Sequence, residues 1–299
     1  MKIAFVILNY NTYEETRDCI LSVEEKLDTT DYRIVIVDNC STDDSADKLT
    51  GFIKEREKCE LIHNSENLGF ARGNNVGIAY VNQNYNPEYV AVCNSDTEII
   101  SDNLVSVLDA EYQKSNFAVF GPLILKESGT YGKVPQKPDS KEELLKYLKR
   151  LKRNKKITEL GIRKLTDSFY SLKQLIERIF NGYIFKSSVQ RSKDVINIPK
   201  YVRHAALSGC FYVFSKKAFE YIKGFDERTF LYFEEYFLYR SIINHGLVMV
   251  YDPEVAICHR VSRAVNRFYD GKKEVALFKN KYLTESLNLY LATLDEMKE

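Results

Sequence analysis

Strand and helix patterns alternate regularly through the first 110 residues, and this alternation constrains the fold most. Runs rich in β-branched and other apolar residues lie at 3–8, 33–37, 60–63 and 89–93, as expected for strands buried on both faces. Apolar residues at helical spacing fill the segments between them. Because the connections are short, the pattern predicts an α/β fold with a doubly wound, mostly parallel sheet and right-handed crossovers.

Polar clusters follow three of these predicted strands, at residues 9–11, 38–39 and 94–96. Asn and Asp often form turns, which would account for each cluster alone but not for their shared placement. In parallel sheets, ligands bind in the crevice outside the carboxyl ends of the strands. We therefore expect the three clusters to line one ligand-binding crevice.

The glycines after the third predicted strand do not form a common phosphate-binding loop. Gly69, Gly73 and Gly77 are four residues apart, which does not match GxGxxG, and the chain has no GxxxxGK[ST] sequence. Spacing by four places them on one face of a helix. Because glycine destabilises a helix interior by about 1 kcal/mol relative to alanine, we expect this face to pack closely on the sheet or on a ligand.

The segment 126–200 differs in composition from the rest of the chain and is predicted to be a basic, helical insertion. Residues 139–194 contain 15 Lys or Arg against 7 Asp or Glu, and apolar residues recur at helical spacing over 144–151 and 165–179. Such a segment is typical of membrane-surface binding, here through residues 140–195. It fits equally a helical hairpin or homo-oligomer contact, or an insertion that packs on its own domain with lysines outside.

Strand patterns return after the insertion, at 205–214 and as two strands within 247–259. Between them, residues 230–240 read FLYFEEYFLYR and place Glu234 and Glu235 among aromatic residues. Burial there would raise a carboxylate pKa, and the neighbouring charge would raise one of the two further, which suits a general base. The alternative is an exposed acidic turn at the start of a helix.

Two residues at predicted strand ends are candidate metal ligands. Asp96 follows the fourth strand, and His259 ends the last one. A hard divalent cation such as Mn²⁺ or Mg²⁺ takes oxygen ligands and keeps waters and phosphate oxygens, so one or two carboxylates suffice when a nucleoside diphosphate supplies the rest. A histidine in this position is a core or surface residue about as often as it is a metal ligand.

Composition narrows the classes of function. A net charge of +1 argues against nucleic-acid binding, and six single cysteines without a CxxC pair argue against a zinc site. Residues 2–8 are too short for the apolar part of a signal peptide, and the sequence has no run of 18 apolar residues. We therefore expect a cytoplasmic protein with reduced cysteines.

Six motifs resemble, in order, those of the inverting family 2 glycosyltransferases with the GT-A fold, especially the rhamnosyltransferase-like bacterial members that build surface polysaccharides. The resemblance covers about residues 1–125 and 200–265. The motifs are ILNYN at 7–11, VDNCSTD at 37–43, NLGFARGNNVGI at 67–78, CNSDT at 93–97, GCF at 209–211 and GFDERTFLYFEE at 224–235.

The resemblance implies a set of nucleotide contacts. Asp38 corresponds to the residue that hydrogen-bonds the uracil or thymine base, and the backbone of residues 9–11 lines the same cleft. Arg72, Gly73 and Asn75 lie where relatives contact the nucleotide or its ribose. The residues expected to bind the nucleotide are Asn9, Tyr10, Asn11, Asp38, Asn39, Gly69, Arg72, Asn75 and Asn94.

The resemblance also implies roles for the acids and the late histidine. Asp96 corresponds to the last acid of the DxD motif that holds Mn²⁺ or Mg²⁺, although Asn94 replaces the first acid. Glu235 stands where relatives carry Asp as the catalytic base. Because Glu is one methylene longer, Glu234 is the alternative base. His259 resembles the family's histidine near the diphosphate and metal.

The implied activity is inverting transfer of a hexosyl group from a UDP- or dTDP-sugar to a saccharide acceptor, expected to be lipid-linked, in bacterial polysaccharide synthesis. The enzyme would work in the cytoplasm, peripherally on the inner face of the membrane. A nucleotidyltransferase and a non-catalytic sugar-nucleotide-binding or assembly protein stay open as alternatives. The predicted division is 1–125 for the nucleotide-sugar half, 126–200 for the insertion, 201–265 for the acceptor and catalytic half, and 266–299 for a C-terminal helical tail.

Overall fold

A computed structural model describes residues 1–132, 135, 137–161, 201–260 and 272–295. The first half contains β1 (Ile3–Asn9), α1 (Tyr13–Lys26), β2 (Tyr32–Asp38), α2 (Ser45–Ile53), β3 (Cys59–His63), α3 (Gly69–Asn84), β4 (Tyr89–Asn94), β5 (Thr97–Ile99), α4 (Leu104–Ser115) and β6 (Val119–Lys126). The second half contains α5 (Lys141–Glu159), β7 (Val202–Arg203), β8 (Phe211–Ser215), a 3-10 turn (Ala218–Glu220), α6 (Glu234–Asn244), β9 (Met249–His259) and α7 (Lys272–Asp295).

Nine strands of the described residues form one sheet in the order β3-β2-β1-β4-β8-β6-β9-β5, with β7 paired to β9. The first four strands in this order are parallel neighbours, and β6 is parallel to β9. The strand predicted at 205–214 is β8, which runs antiparallel to both β4 and β6. Because the parallel ladders are the longer ones, the predicted α/β fold with a mostly parallel sheet is confirmed.

The two strands predicted at 247–251 and 255–259 are a single strand, β9, so that prediction was wrong. The pairing of β6 with β9 shifts register between Pro122 and Leu123, and residues 253–255 of β9 are skipped as a bulge. The bulge contains a proline, which cannot donate a ladder hydrogen bond and interrupts the apolar pattern. Strands β5, β6 and β7 were not predicted.

Helices cover both faces of the sheet. One core cluster joins the strands to α1, α2 and α4 through residues such as Ile20, Leu49 and Leu104. The other joins them to α3 and α6 through residues such as Ile78 and Leu238. The carboxyl ends of the parallel strands are therefore left as the accessible edge at which a ligand can meet the sheet.

The glycine face of α3 packs directly on the sheet, as its spacing predicted. A Cβ atom on Gly73 would lie 2.7 Å from Leu8 Cδ1, and one on Gly77 would lie 2.9 Å from Val37 Cγ2. Real Cβ atoms do not approach so closely. The two glycines therefore bring α3 against β1 and β2, close to the strand ends that carry the first two polar clusters.

Helices α5, α6 and α7 form a third apolar cluster beyond the sheet. Leu144, Leu148 and Leu151 of α5 pack with Phe237 of α6 and Leu287 of α7. The described part of the insertion therefore packs on its own chain. The second helical pattern of the insertion, at 165–179, lies outside the described residues. None of the helices in the described ranges has both the length and the apolarity needed to cross a bilayer.

Candidate active site

Asp38, the last residue of β2, is buried in a hydrogen-bonded cluster. Its Oδ1 accepts from Asn9 Nδ2 at 2.7 Å and from the Ser41 hydroxyl at 2.5 Å, and its Oδ2 accepts from the Ser41 N–H at 3.1 Å. Asn9 is fully buried, and its Oδ1 accepts from the hydroxyls of Thr12 and Thr16. Asn9 therefore positions Asp38. Since a carboxylate offers about four acceptor sites, Asp38 keeps capacity for a ligand donor.

The turn after β1 continues this cluster towards solvent. Asn11 has a left-handed backbone, with φ of 55°, and its N–H donates to the Ser41 hydroxyl at 3.0 Å. Its side-chain Oδ1 accepts from the Thr42 N–H at 2.7 Å, and its Nδ2 donates to the Thr42 hydroxyl at 2.9 Å. Tyr10 is half-buried next to it. These contacts join the ends of β1 and β2 into one wall.

Asn39 holds the loop that leads into α3. Its Oδ1 accepts from Asn64 Nδ2 and from the Leu68 N–H, both at 3.0 Å. Its Nδ2 donates to Asn67 Oδ1 at 2.9 Å and to the Gly69 carbonyl at 3.2 Å. Because Asn39 is itself buried, its side chain fixes this loop beside Asp38.

Arg72 and Asn75 of α3 contact a distant segment of the chain. Asn75 Oδ1 accepts from the Phe225 N–H at 2.8 Å, and its Nδ2 donates to the Phe225 carbonyl at 2.9 Å and to Glu227 Oε1 at 3.0 Å. The exposed Arg72 donates through Nε to the Glu227 carbonyl at 3.3 Å. Both residues expected to contact the nucleotide thus tie α3 to the motif that begins at Gly224.

Asp96 and His259 meet where β5 pairs with β9. Thr97 is the register partner of His259, so Asp96 lies beside the histidine ring, with Oδ1 3.2 Å from Nε2. The Arg260 N–H donates to the Asp96 carbonyl at 2.9 Å, and the Arg260 guanidinium contacts Asp18 at 2.9 Å. This network fixes the end of β9 against the turn that carries Asp96.

The pair of Asp96 and His259 fits a divalent cation that also binds phosphate. His259 Nε2 is buried and makes no hydrogen bond within the described residues, although it lies 3.2 Å from Asp96 Oδ1. Among the described residues, no group of three or more His, Cys, Asp or Glu side chains is arranged to hold a metal. Two protein ligands are enough where phosphates and water supply the rest. The His259 Nε2 atom and the buried Asp96 carboxylate together form the set of ligands expected when phosphates and water complete the coordination of the cation.

A cavity of about 550 Å³ lies next to this pair. Asn94 and His259 line it from the strand ends, and Glu234 and Glu235 line it from the first turn of α6. Oε2 of Glu235 lies 4.0 Å from the position that a Cβ atom would take on Gly209, which also lines the cavity. Four residues predicted for the site are therefore brought together from three separate elements, β4, β9 and α6.

Asp38 and Asp96 do not line this cavity but lie along the same edge of the sheet. Asn9, which positions Asp38, is one residue beyond the Leu8 that pairs with Asn94 in the cavity wall. The Thr12 and Ser95 hydroxyls are 3.0 Å apart and link the two regions further.

Glu234 is buried among aromatic residues, as the sequence predicted. Burial raises its pKa to about 8, and the charge of Glu235 adds a smaller increase that backbone hydrogen bonds partly offset. Within the part of the chain that the structure describes, Glu234 Oε1 has no hydrogen-bond partner. Since a carboxyl group is protonated below its pKa, Glu234 is mostly neutral at pH 7. The expected rise in the pKa of one acid of the pair is confirmed for Glu234.

The loop that leads to these acids is strained. Tyr232 and Phe233 both have left-handed backbone conformations, with φ of 74° and 71°. Such conformations cost about 1–3 kcal/mol each in residues with a side chain and are concentrated at functional sites. Two hydrogen bonds to loop carbonyls hold the loop: the Phe70 N–H donates at 2.8 Å and the Ser286 hydroxyl at 2.7 Å.

Several lining residues were not expected from the sequence. Tyr232 lies in the aromatic run that was noticed, but its left-handed backbone has no sequence signal. Tyr147 lies within the leucine pattern of α5, which predicted burial without naming the partner. Other lining residues that sequence reasoning missed include Lys126, Asp139, Ser208 and Leu283.

Comparison with known proteins places the chain in a family. The model of glycosyl transferase family 2 matches residues 4–180, which is more than half of the chain. The low-salt glycan biosynthesis hexosyltransferase Agl10 of Haloferax volcanii is 26% identical over 127 residues, covering 42% of this chain and 38% of the relative. Glycosyltransferase GlyG of Streptococcus pneumoniae serotype 4 is 28% identical over 116 residues, covering 38% of this chain and 36% of the relative. The chain thus spans less than two-fifths of these relatives.

Two solved structures share the fold. The structure of S. aureus TarS 1-349 has a TM-score of 0.50 and 13% identity, and the match covers 87% of this chain and 60% of that one. GalNAc-T7, solved with UDP, GalNAc and Mn²⁺, has a TM-score of 0.55 and 13% identity, with 87% and 44% covered. These neighbours have the GT-A fold, as the sequence motifs implied. With its matched region and its fold in agreement, the chain belongs to glycosyl transferase family 2.

Proposed function

We propose that this protein is an inverting glycosyltransferase that moves a hexosyl group from a UDP- or dTDP-sugar to a saccharide acceptor. One observation carries the proposal. A single cavity is lined by Glu234 and Glu235 from the first turn of α6 and by Asn94 and His259 from strand ends. Sugar transfer with inversion requires a carboxylate that faces the strand ends at which the diphosphate would bind. From that position the carboxylate can deprotonate an acceptor hydroxyl opposite the leaving diphosphate.

Glu235 is the better candidate for the base. Glu234 is mostly protonated at neutral pH, because its pKa is raised to about 8 by burial, and a protonated carboxyl cannot accept the acceptor proton. Glu235 is less buried and its Oε2 faces Gly209 within the cavity. The acceptor hydroxyl would give its proton to Glu235 and attack the anomeric carbon from the face opposite the diphosphate. This attack inverts the configuration.

The nucleotide end of the donor would lie along the wall formed by β1 and β2. Asp38 has acceptor capacity left for the imide N–H of uracil or thymine, and His63 Nδ1 lies 3.9 Å from its Oδ2. GalNAc-T7, which shares the fold, was solved with UDP and Mn²⁺. In this chain Asp96 and His259 would hold Mn²⁺ or Mg²⁺. A bound cation would supply charge neutralisation for the leaving diphosphate.

A lipid-linked acceptor would bring the protein to the inner face of the cell membrane. Lys149, Lys152 and Lys156 lie on the outward side of α5, and none has a carboxylate partner among the described residues. Leu145 and Leu160 are exposed along the same stripe. Basic residues flanked by exposed leucines favour an anionic lipid surface. A homo-oligomer through the insertion stays a second prediction for this segment.

The membrane proposal can be tested by flotation with vesicles. Wild-type protein should float with vesicles of phosphatidylglycerol and phosphatidylcholine, and less with phosphatidylcholine alone. Replacing Lys149, Lys152 and Lys156 with glutamate should abolish this difference. Replacing three lysines elsewhere, Lys54, Lys216 and Lys223, serves as the matched control. Equal flotation of the two triple variants would reject the α5 surface as the membrane-binding site.

Product analysis tests the catalytic proposal. The protein should be incubated with a panel of UDP- and dTDP-sugars, Mn²⁺ and simple glycosides. Release of UDP or dTDP together with a new glycoside of inverted anomeric configuration is expected. Release of pyrophosphate would instead indicate nucleotidyl transfer, and binding without turnover would indicate a non-catalytic protein. Family 2 membership supports the first outcome.

A further inference from the structure

The cavity has two walls of different chemistry. The wall built from strand ends is polar and includes Asn94, Ser208 and His259. The second wall includes Tyr147 and Tyr232, which pack against the apolar cluster of α5, α6 and α7. The two acids at the start of α6 line the same cavity. The second wall is therefore separate from the strand ends that would hold the donor.

The second wall is held in place from several sides. The loop that carries Tyr232 is fixed by the hydrogen bonds from Phe70 and Ser286 described above, despite its left-handed backbone. The Arg150 guanidinium lies 4.8 Å from the centre of the Tyr147 ring and packs over it. Burial raises the pKa of Tyr232 to about 12, and Glu234 and Tyr147 add to the increase. Tyr147, Tyr232 and Glu234 are thus close neighbours.

Three carboxyl groups line the same cavity. Besides Glu234 and Glu235, Asp139 contributes to the lining and accepts from the Tyr236 hydroxyl at 2.9 Å. Lys126 also lines the cavity, but it is the register partner of His259 and so belongs to the strand-end wall. A ligand bound against the aromatic wall therefore meets carboxyl groups.

We infer that Tyr147 and Tyr232 form a binding site for a non-acidic pyranose ring of the acceptor, next to Glu235. The inference rests on the proposed sugar transfer. Inversion requires the acceptor hydroxyl to approach from the side opposite the diphosphate, and the aromatic wall is the part of the cavity lining that the strand ends do not form. Aromatic rings offer apolar faces to a sugar ring, while the carboxylates of Glu235 and Asp139 can accept hydrogen bonds from hydroxyls and repel a uronate.

The probes are p-nitrophenyl β-D-glucopyranoside, the matching galactopyranoside and the matching glucuronide. Their binding to the full chain saturated with UDP and Mn²⁺ would be measured by saturation-transfer NMR. We expect at least one neutral pyranoside to bind and the glucuronide to bind about tenfold more weakly or not at all. Tyr147→Leu keeps the packing volume of α5 but removes the aromatic face, and it should weaken the neutral pyranoside about five- to tenfold.

Two controls separate the site from the fold and from the donor. Tyr221→Leu changes an exposed tyrosine outside the cavity and should leave pyranoside binding unchanged. The rise in Tm produced by UDP and Mn²⁺ should be equal in wild type and Tyr147→Leu, which shows an intact donor side.

The inference is overturned if no neutral pyranoside binds, if the glucuronide binds equally well, or if Tyr147→Leu binds like wild type. In each case a normal UDP-induced rise in Tm and normal release of UDP from a donor sugar leave the proposed function standing. If wild-type protein neither responds to nucleotides nor releases UDP or dTDP from any donor sugar, the proposed function fails and the inference fails with it.

Discussion

The cluster around Asp38 and the cavity around Glu235 lie along one edge of the sheet but satisfy their polar groups differently. Around Asp38, the side chains of Asn9 and Ser41 bond the carboxylate and one another. In the cavity, Glu234 Oε1 and His259 Nε2 are buried, and neither has a hydrogen-bond partner among the described residues. Buried polar groups without partners destabilise a fold by about 1–3 kcal/mol each.

This difference indicates two kinds of site. The Asp38 cluster is complete without ligand, so it presents a rigid acceptor to a nucleotide base. The cavity stays incomplete until a ligand arrives, and it also bears the strain of Tyr232 and Phe233. Substitutions in the Asp38 cluster should therefore mainly reduce the stability of the protein. Substitutions in the cavity should mainly reduce turnover.

The largest expected effect is on turnover. Glu235→Gln removes the base while keeping the shape of the side chain, so kcat should fall by about 10²- to 10⁴-fold. UDP binding, measured as a rise in Tm, should be unchanged. The release of UDP or dTDP from the donor that wild type uses provides the rate.

Glu220→Gln is the matched control for this prediction, because Glu220 is exposed and pairs with Lys217 in a surface turn. It should turn over like wild type. Full activity of Glu235→Gln would show that the base is misassigned, and Glu234→Gln would then be tested for loss of turnover.

The next effect is on the pH dependence of stability. Glu234 has a pKa of about 8 in the folded protein against 4.5 as its ordinary value. Between these values the folded state holds a proton that the unfolded state releases, so stability falls as pH rises, by up to about 1.4 kcal/mol per pH unit. Glu234→Gln should flatten this slope and be more stable than wild type at about pH 8. Urea unfolding at about pH 5.5 and 8 measures it, and parallel slopes would refute a raised pKa.

A smaller loss of stability is expected from a substitution in the Asp38 cluster. Asp38→Asn puts an amide where Asn9 and Ser41 donate, so unfolding free energy should fall by about 1–3 kcal/mol. The rise in Tm with UDP should also disappear. Asp102→Asn, at an exposed position, is the control. Unchanged stability would mean that the cluster is less rigid than its hydrogen bonds indicate.

The smallest effect on stability is expected at His259. Because Nε2 makes no hydrogen bond to any residue that the structure describes, His259→Ala should change unfolding free energy by only about 1 kcal/mol. The extra rise in Tm that Mn²⁺ adds to UDP should be lost. His245→Ala, at the exposed end of α6, should retain it. A variant at position 259 that still responds to Mn²⁺ would remove this residue from the metal site.

The sequence predicted the Asp38 region better than the cavity. Residues 9–11 and 38–39 follow continuous apolar strands whose order and pairing follow from short crossovers. Their local chemistry is contained in short segments. The glycine spacing of α3 likewise predicted a close neighbour, either the sheet or a ligand. Gly73 and Gly77 pack on the sheet, whereas Gly69, which has a left-handed backbone, meets Phe230.

The cavity depends on contacts between distant segments, which leave weaker signals. Tyr147 reaches it only because α5 packs on α6 and α7, and the leucine pattern of α5 is equally consistent with a membrane or a second subunit. The bulge in β9 divided one strand into two apparent ones. The left-handed backbone of Tyr232 and Phe233 is fixed by contacts with distant residues, which overcome the ordinary preference of aromatic residues for negative φ.

The most direct test is a crystal structure of the full chain with UDP and Mn²⁺. We predict that the uracil ring contacts Asp38, that the cation lies between Asp96 and His259, and that the diphosphate faces the cavity that contains Glu235. Nucleotide bound at another edge of the sheet, or a diphosphate separated from Glu235 by protein, would contradict it.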